Sequence, residues 1–370
     1  MTRVLIETAA LADAIKKAER VAPNSAGQAF DKAAGVLLTI DGSVVTVKAT
    51  NLDVYSTEWI EALECDGSAD WRLPSRVFAT VCASLPIGTG KTVELKEERG
   101  EHYSKVQLKA GRTTAKFNLL QTEYYPTWSA FDPDDLEPVS DLGGRLTQVE
   151  WAADKSTEPL NGVNLDGEYA FATDRYRMAR VPLKIPALAS KDPVTIPAGI
   201  LSTLLKQTGE VSLGHGGNQL YILPDEHSQI RTVIFGLSYP NAASIANSIT
   251  FSHSIKVKKL PILEVIERAS NFAGADRAPA LKIFLGKEQF AVMMNNDEIG
   301  YLGDIVELPG QATHERLKVI FTPRNIMDPL EKSPSEEVEI FYNLDNPKSA
   351  WRVEGGSGFS AWSMPRRELD

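Results

Sequence analysis

Ala172-Thr173-Asp174 closes a strand-like run, and 24 residues after Thr173 the stretch Ile196-Pro197-Ala198-Gly199-Ile200-Leu201 reads as a proline opening a helix. The same pairing recurs on either side. Ala49-Thr50-Asn51 is followed, again at 24 residues, by Leu73-Pro74-Ser75-Arg76-Val77-Phe78. Met294-Asn295-Asn296 is followed, 28 residues on from Asn295, by Thr322-Pro323-Arg324-Asn325-Ile326-Met327. Thr50, Thr173 and Asn295 are 123 and 122 residues apart, and Pro74, Pro197 and Pro323 are 123 and 126 apart. A period of this length means repeated domains rather than a solenoid of short units. Three copies, over 1–130, 140–252 and 253–370, fill the 370 residues and leave nothing for a separate catalytic domain.

Each copy reads as helix, strands, helix, strands, an α+β arrangement. The first helix of copy one spans Thr8–Val21, with Thr8 as N-cap and Leu11, Ala14, Ile15, Ala18 and Val21 on one face. Its counterparts are expected over 146–155 and 262–272, the latter with Pro261 in the first turn. The second helices start at the repeated proline, over 74–84, 197–207 and 323–330. Strand patterns fall at 35–40, 43–48 and 280–285, and Asp41-Gly42 joins the first two as a hairpin. The acidic, aperiodic stretch 131–144 reads as a linker, and a strand at 249–252 ends the second copy.

Composition is that of an ordinary soluble protein, 43% hydrophobic and 24% charged. No apolar run approaches the ~18 residues of a membrane span, and the N-terminus lacks a signal-peptide core. Two cysteines, Cys65 and Cys82, make no disulfide framework, which points to a reducing cytoplasm. Five scattered histidines without a paired ligand imply neither metal nor cofactor. The net charge of −10 argues against DNA binding over the whole surface but leaves room for a segregated basic face.

Several motifs are decoys. Gly88-Thr89-Gly90-Lys91-Thr92 looks like the tail of a phosphate loop. The full motif requires glycine at position 85, which is leucine, and a strand follows where a helix is needed, so a hairpin turn is expected. Gly214-His215-Gly216-Gly217 reads as a turn before a strand at 219–223. Asp132, Asp134 and Asp135 read as solvated linker rather than metal ligands. Tyr176 and Arg177 have no nucleophile–base pair beside them, and no catalytic residue is expected.

Leu160-Asn161-Gly162-Val163, then Ala172-Thr173-Asp174-Arg175-Tyr176-Arg177-Met178-Ala179, resembles a second-domain signature, LNG…ATDGHRLA, of the bacterial DNA polymerase III beta subunits, the sliding clamps. Ser363-Met364-Pro365-Arg366-Arg367 resembles the terminal MPxRL of that family. Tyr124-Tyr125-Pro126 and Ser238-Tyr239-Pro240 match the aromatic-Pro step that closes its first two domains. The resemblance spans the whole chain. It implies a non-catalytic, homodimeric, head-to-tail ring of six clamp-fold copies, helices inside and antiparallel sheets outside. Such a ring threads double-stranded DNA and tethers a polymerase for processive replication.

The resemblance also implies site residues. A basic lining would use Lys16, Lys17, Arg20, Arg76, Lys155, Lys206, Arg268 and Arg324, all expected on the inner helices. Phosphate contacts of this kind ignore sequence and weaken with salt. Ala198 and Gly199 stand where the family often has basic residues. A peptide pocket for the polymerase and the clamp loader would use Leu160, Thr173, Tyr176, Arg177, Met178, Pro240, Ile245, Met364, Pro365 and Arg366. Arg175 and Tyr176 replace the family's usual Gly-His, and Arg366 replaces a residue that is commonly apolar. These changes narrow the pocket and favour a peptide with an acidic flank. Phe117 and Phe272 are the apolar residues at the family's subunit-interface positions; their other reading is domain core. A repeat-domain scaffold that binds peptides without encircling DNA is the competing reading, and it predicts no salt-sensitive retention on circular DNA.

Overall fold

The computed structural model describes residues 2–23, 32–100, 104–128, 136–188, 192–206, 208–274, 279–296 and 298–366, without the side chain of Arg99. Asp132, Asp134 and Asp135 of the acidic stretch, position 207, and the C-terminal Glu368-Leu369-Asp370 lie outside the described residues.

Seven α-helices are found among the described residues: α1 (Thr8–Val21), α2 (Ser75–Ala83), α3 (Leu142–Val149), α4 (Ile200–Leu204), α5 (Ala242–Ser248), α6 (Lys259–Phe272) and α7 (Pro323–Lys332). They accompany four antiparallel sheets. The chain divides into two compact units. The first comprises Met1–Gly143, Ile185–Ala187 and Gly199–Ile234; the second comprises Gly144–Lys184, Leu188–Ala198 and Phe235–Asp370. Each unit therefore holds one outer copy of the repeat and half of the middle one.

In the first unit a five-stranded sheet runs in the order Glu64–Asp66, Arg3–Glu7, Thr92–Arg99, Ser104–Ala110, Thr113–Asn118. An eight-stranded sheet joins four strands of copy two to four of copy one. Their meeting point is Ser228–Val233 against Val54–Glu61, with Ser228 opposite Glu58. The second unit repeats this plan. Arg177–Pro182 pairs with Ser360–Ser363 to splice copy two to copy three in another eight-stranded sheet. A four-stranded sheet runs Gly300–Glu307, Gln289–Asn296, Leu281–Gly286, Leu317–Phe321.

The period of the sequence explains most of these elements. Helix α1 buries Leu11, Ala14, Ile15, Ala18 and Val21, the face its spacing sets. Burying each Leu or Ile there stabilises the unit by roughly 1.5–3 kcal/mol. Thr8 is not the N-cap. Its N–H is taken by the Lys91 carbonyl at 3.0 Å, so the helix continues from strand Arg3–Glu7 with Glu7 as an uncapped N-cap. Pro261 lies in the first turn of α6, where a missing N–H costs nothing. Pro74 is the N-cap of α2, and Pro323 opens α7.

Copy two departs from the expectation. Pro197 ends a strand opposite Gly162, and the chain turns through Gly199 at φ 99° before the single turn and a half of α4. The helix expected over 146–155 lies earlier, at α3, followed by a 3-10 turn at Glu150–Ala152. Residues 137–140 of the supposed linker form a strand paired with Glu210–Gly216, because alternating Val139 is buried against it. The strand expected at 249–252 is displaced to His253–Lys258, since Ile249 and Phe251 pack into an apolar cluster beside α5. Residues 88–92 link α2 to a strand rather than two strands, so they are a turn but not a hairpin. Gly214 and Gly216 belong to a strand, and the turn falls at Gly217-Asn218. The first hairpin forms as expected, with Asp41 opposite Val44 and Gly42 at φ 57°.

Candidate functional site: an apolar cavity beside the second polar step

The polar step that marks each copy is a local hydrogen-bonded device. In copy one the Asn51 side chain accepts from the N–H groups of Asp53 (3.1 Å) and Val54 (2.7 Å). Thr50 Oγ1 accepts from Leu52 N–H at 2.9 Å and donates to the Val54 carbonyl at 2.9 Å. Copy two repeats this bond for bond. Asp174 accepts from Tyr176 (2.9 Å) and Arg177 (2.7 Å), while Thr173 Oγ1 accepts from Arg175 (3.1 Å) and donates to the Arg177 carbonyl (2.7 Å). Leu52 and Arg175 both take positive φ, at 80° and 78°. In copy three Asn296 accepts from Glu298 (3.0 Å) and Ile299 (3.1 Å). Such side-chain turns are what Asn and Asp supply at a strand end.

In copy two this turn presents a cavity of about 120 Å³ with an almost wholly apolar wall. It is lined by Thr173, Arg175, Tyr176, Arg177, Met178, Pro240, Ile245, Ile249, Ala350, Trp362 and Met364. Met178, Ala350 and Trp362 are buried, whereas Tyr176, Ile245 and Met364 are exposed at the mouth. The Tyr-Pro step seals one side: the Tyr239 hydroxyl accepts from Thr173 N–H at 2.8 Å, and burial raises its pKa. Arg177 supports the turn from below. Its guanidinium pairs with Asp174 (2.7 Å) and Asp328 and lies over the Trp151 ring at 5.7 Å. Arg175, largely exposed, reaches Asp154 at 3.7 Å.

Seven of the ten residues expected in the pocket line it: Thr173, Tyr176, Arg177, Met178, Pro240, Ile245 and Met364. Leu160 is buried elsewhere, its carbonyl accepting from the Asp154 N–H at 2.8 Å. Pro365 and Arg366 are half-buried and outside the lining. Arg366 is turned away, its backbone N–H donating to the Ile320 carbonyl (2.8 Å) and its guanidinium to that of Pro279 (3.2 Å). Four further residues line it: Arg175, named in the sequence only as a departure from the family's glycine, and Ile249, Ala350 and Trp362, which sequence reading missed. Trp362 was within reach, because it alternates with Met364 along one strand direction.

The expected basic lining is uneven. Lys16, Arg20 and Arg76 are exposed on α1 and α2, with Arg20 donating to the Thr203 carbonyl at 3.1 Å. Lys17 is engaged otherwise: it donates to Ser228 (3.0 Å) and pairs with Asp13 (3.1 Å), Glu58 (3.4 Å) and Asp225 (3.6 Å). Arg268 pairs with Asp304 at 2.7 Å, and Arg324 with Asp328 at 3.4 Å. Lys155 and Lys206 are exposed but stand beyond α3 and α4, not on them, because both helices are shorter than expected.

Phe117 is core, stacked edge-on to Phe78 at 5.1 Å, and Phe272 is half-buried against the core of copy three. Beside it, strand Gly300–Glu307 forms an open sheet edge with Ile299 (63% exposed), Tyr301 (77%) and Ile305 (51%) in solvent. The strand Thr113–Asn118 is likewise the edge of its sheet.

Both cysteines are free, and burial pushes the Cys82 thiol up to about 12. Among the described residues no group of three or more potential metal ligands occurs, and no helix is long and apolar enough to cross a membrane.

These elements define an α+β protein built from three diverged copies of the DNA-clamp fold. No protein-family model matches the chain, and no curated protein matches it. Solved structures do, over its full length. The DNA polymerase III beta subunit of Thermotoga maritima is 18% identical, with all of both chains covered and a TM-score of 0.85. The Bacillus subtilis DNA polymerase sliding clamp is 19% identical over all of both chains, with a TM-score of 0.84. The Pseudomonas aeruginosa DNA polymerase III subunit beta is 18% identical, with 99% of this chain and 100% of that chain covered and a TM-score of 0.83. The chain has the fold of the bacterial sliding clamps.

Proposed function

We propose that this protein is a DNA sliding clamp, non-catalytic, that closes with a second copy into a ring around duplex DNA and holds a polymerase there for processive synthesis. The observation that carries the reading is the full-length match to solved clamps together with the apolar cavity at the second polar step. The domains would be 1–130, 140–252 and 253–370. Ring closure would use the two open sheet edges. The strand Thr113–Asn118 of one copy would add to Gly300–Glu307 of the other, covering Tyr301 and Ile305. An unpaired edge is a ready template for pairing, and a heterologous contact that closes makes a ring. Lys16, Arg20 and Arg76 would then contact phosphates without reading sequence.

The cavity would take one apolar side chain of a short linear peptide from the polymerase or the loader. A single buried anchor dominates such interfaces. Arg175, largely exposed at its margin, favours an acidic residue beside that anchor. The tether keeps the polymerase at high effective concentration at the primer end, so processivity needs no catalytic group.

The test is native mass together with retention on nicked circular DNA. A particle of twice 40.5 kDa that stays on circles and is released when they are linearised is the expected result. A monomer at all concentrations, with no topological retention even beside a loader, would leave a peptide-binding scaffold.

A further inference from the structure

A cavity of about 400 Å³ opens in the first unit, where one face of α1 passes the end of strand Val54–Glu61 and the turn at Asp225. It lies within that single unit and shares no residue with the apolar cavity of the second.

The space follows from the sequence of α1. Glu7, Ala10, Ala14 and Lys17 fall at spacings of three and four and share one helix face. The middle of that face is alanine, whose single methyl leaves the gap unfilled. Trp59, Ile60 and Leu63 supply an apolar wall from the strand side. Leu63 is 54% exposed at the mouth. Val44, 38% exposed, stands opposite Glu61 across the strand pair and so shares its face. Apolar surface therefore continues outward past the rim.

The charge is of one sign. Five carboxylates line the cavity, and among the described residues Lys17 is the one lysine or arginine against them. At one end Lys17 serves three of the five, Asp13 (3.1 Å), Glu58 (3.4 Å) and Asp225 (3.6 Å). Glu58 is 3% exposed and also accepts from Ser56 and Ser228, yet burial still raises its pKa. One ammonium is thus too little for that end. At the other end the Leu63 N–H donates to the Leu5 carbonyl at 2.8 Å, which brings Glu61 beside the start of α1. Glu7 and Glu61 are both exposed there, and among the described residues no ion pair engages either. His227 on the rim faces Glu226 at 3.5 Å. Among the described residues no three potential ligands group as a metal ion needs, and the apolar wall suits an organic cation instead.

The geometry points to a docking site for a basic segment of a partner protein, with an arginine side chain in the cavity and an apolar residue beside it on Leu63 and Val44. The aliphatic stem lies along Ala10 and Ala14, as long cationic side chains cover apolar surface. The guanidinium meets the half-buried Trp59 ring and forks between Glu7 and Glu61. The site is the electrostatic opposite of the apolar cavity, whose margin carries Arg175.

The experiment follows the alanine, isoleucine and leucine methyl groups of the full chain by NMR during titration with the acetylated hexapeptide GSLRSG. Saturable shifts at Ala10, Ala14, Ile60 and Leu63 are expected. Binding should be roughly tenfold weaker with GSLESG, where like charges meet, and weaker with GSLKSG, whose ammonium cannot fork between two carboxylates. Ala10→Leu should abolish the shifts by filling the space from within. Should that variant not fold, Glu7→Gln with Glu61→Gln changes only exposed side chains and should weaken GSLRSG roughly tenfold at an unchanged melting temperature. Equal affinity for GSLRSG and either other peptide, no shift at these methyls, spermine shifting them as strongly at the same concentration, or a titration unaltered in the double variant would overturn the proposal. The Ile245 methyl reports the apolar cavity separately, and none of these measurements requires ring closure.

Discussion

Arg177 grips Asp328 across 151 residues of sequence, while the same guanidinium holds Asp174 three residues away. Both carboxylates are largely buried; Arg177 is the cation paired with Asp174, while Asp328 also meets the exposed Arg324 at 3.4 Å. Removing a single partner from a buried charge group costs about 3–5 kcal/mol, because the others are left without compensation. Arg177→Ala should therefore lower stability by about 3 kcal/mol and loosen the turn that shapes the apolar cavity. Arg177→Lys should recover only part of this, since a point charge cannot reach both carboxylates in forked geometry. Urea unfolding of both variants checks the order.

Glu58 gives the first unit a pH dependence. Its carboxylate is buried where strands of copies one and two meet, and burial raises its pKa, partly offset by Ser228, Lys17 and Ser56. A carboxyl whose folded pKa is raised favours folding most when protonated. That contribution is full below the unfolded value near 4.5 and is lost as pH rises through the higher folded value. Glu58→Gln should flatten this part of the melting-temperature profile. A profile identical to that of the natural chain would refute the assignment.

Ionic strength should act on DNA retention through a small number of cations. Replacing Lys16, Arg20 and Arg76 together with Ala should reduce the slope of log affinity against log salt by about 0.9 for each phosphate no longer neutralised. Arg268→Ala and Arg324→Ala should change that slope less, because both guanidinium groups already face carboxylates. Filter binding to linear duplex across a salt series measures both.

Closure should depend on the edge strand of copy three. Tyr301→Asp with Ile305→Asp places two charges on side chains that are 77% and 51% exposed in the single chain. Little change in melting temperature of the protomer is expected, with a shift from dimer to monomer in sedimentation at micromolar concentration. An unaltered dimer would place the interface elsewhere.

The repeat was legible because its markers are local. The Thr-Asn and Thr-Asp steps fold on their own side chains, and the apolar face of α1 follows helical spacing alone. What escaped depended on distant partners. Thr8 is no cap because Lys91 supplies the carbonyl its N–H meets. Lys17 was indistinguishable from its neighbour Lys16 until Glu58 and Asp225 were brought beneath it. Three walls of the apolar cavity come from segments distant in sequence: Trp362 is paired with Met178 by the sheet, Ile249 ends helix α5, and Ala350 packs with them in one apolar cluster. Leu160 and Arg366 carried the right motif but face elsewhere, since a motif fixes position along the chain and not side-chain direction.

The splice between Ser228–Val233 and Val54–Glu61, and its counterpart at Arg177–Pro182, mean that the units of duplication are not the units of folding. A fragment cut between copies one and two would carry Val54–Glu61 with a bare flank of backbone donors and acceptors. Its easiest remedy would be a borrowed strand, leading to swapped dimers or fibrous aggregates rather than a well-behaved module. Limited proteolysis would show the same logic, with nicked pieces remaining associated. Each copy completes its sheet with a neighbour's strands, so none of the three carries a closed set of backbone partners by itself.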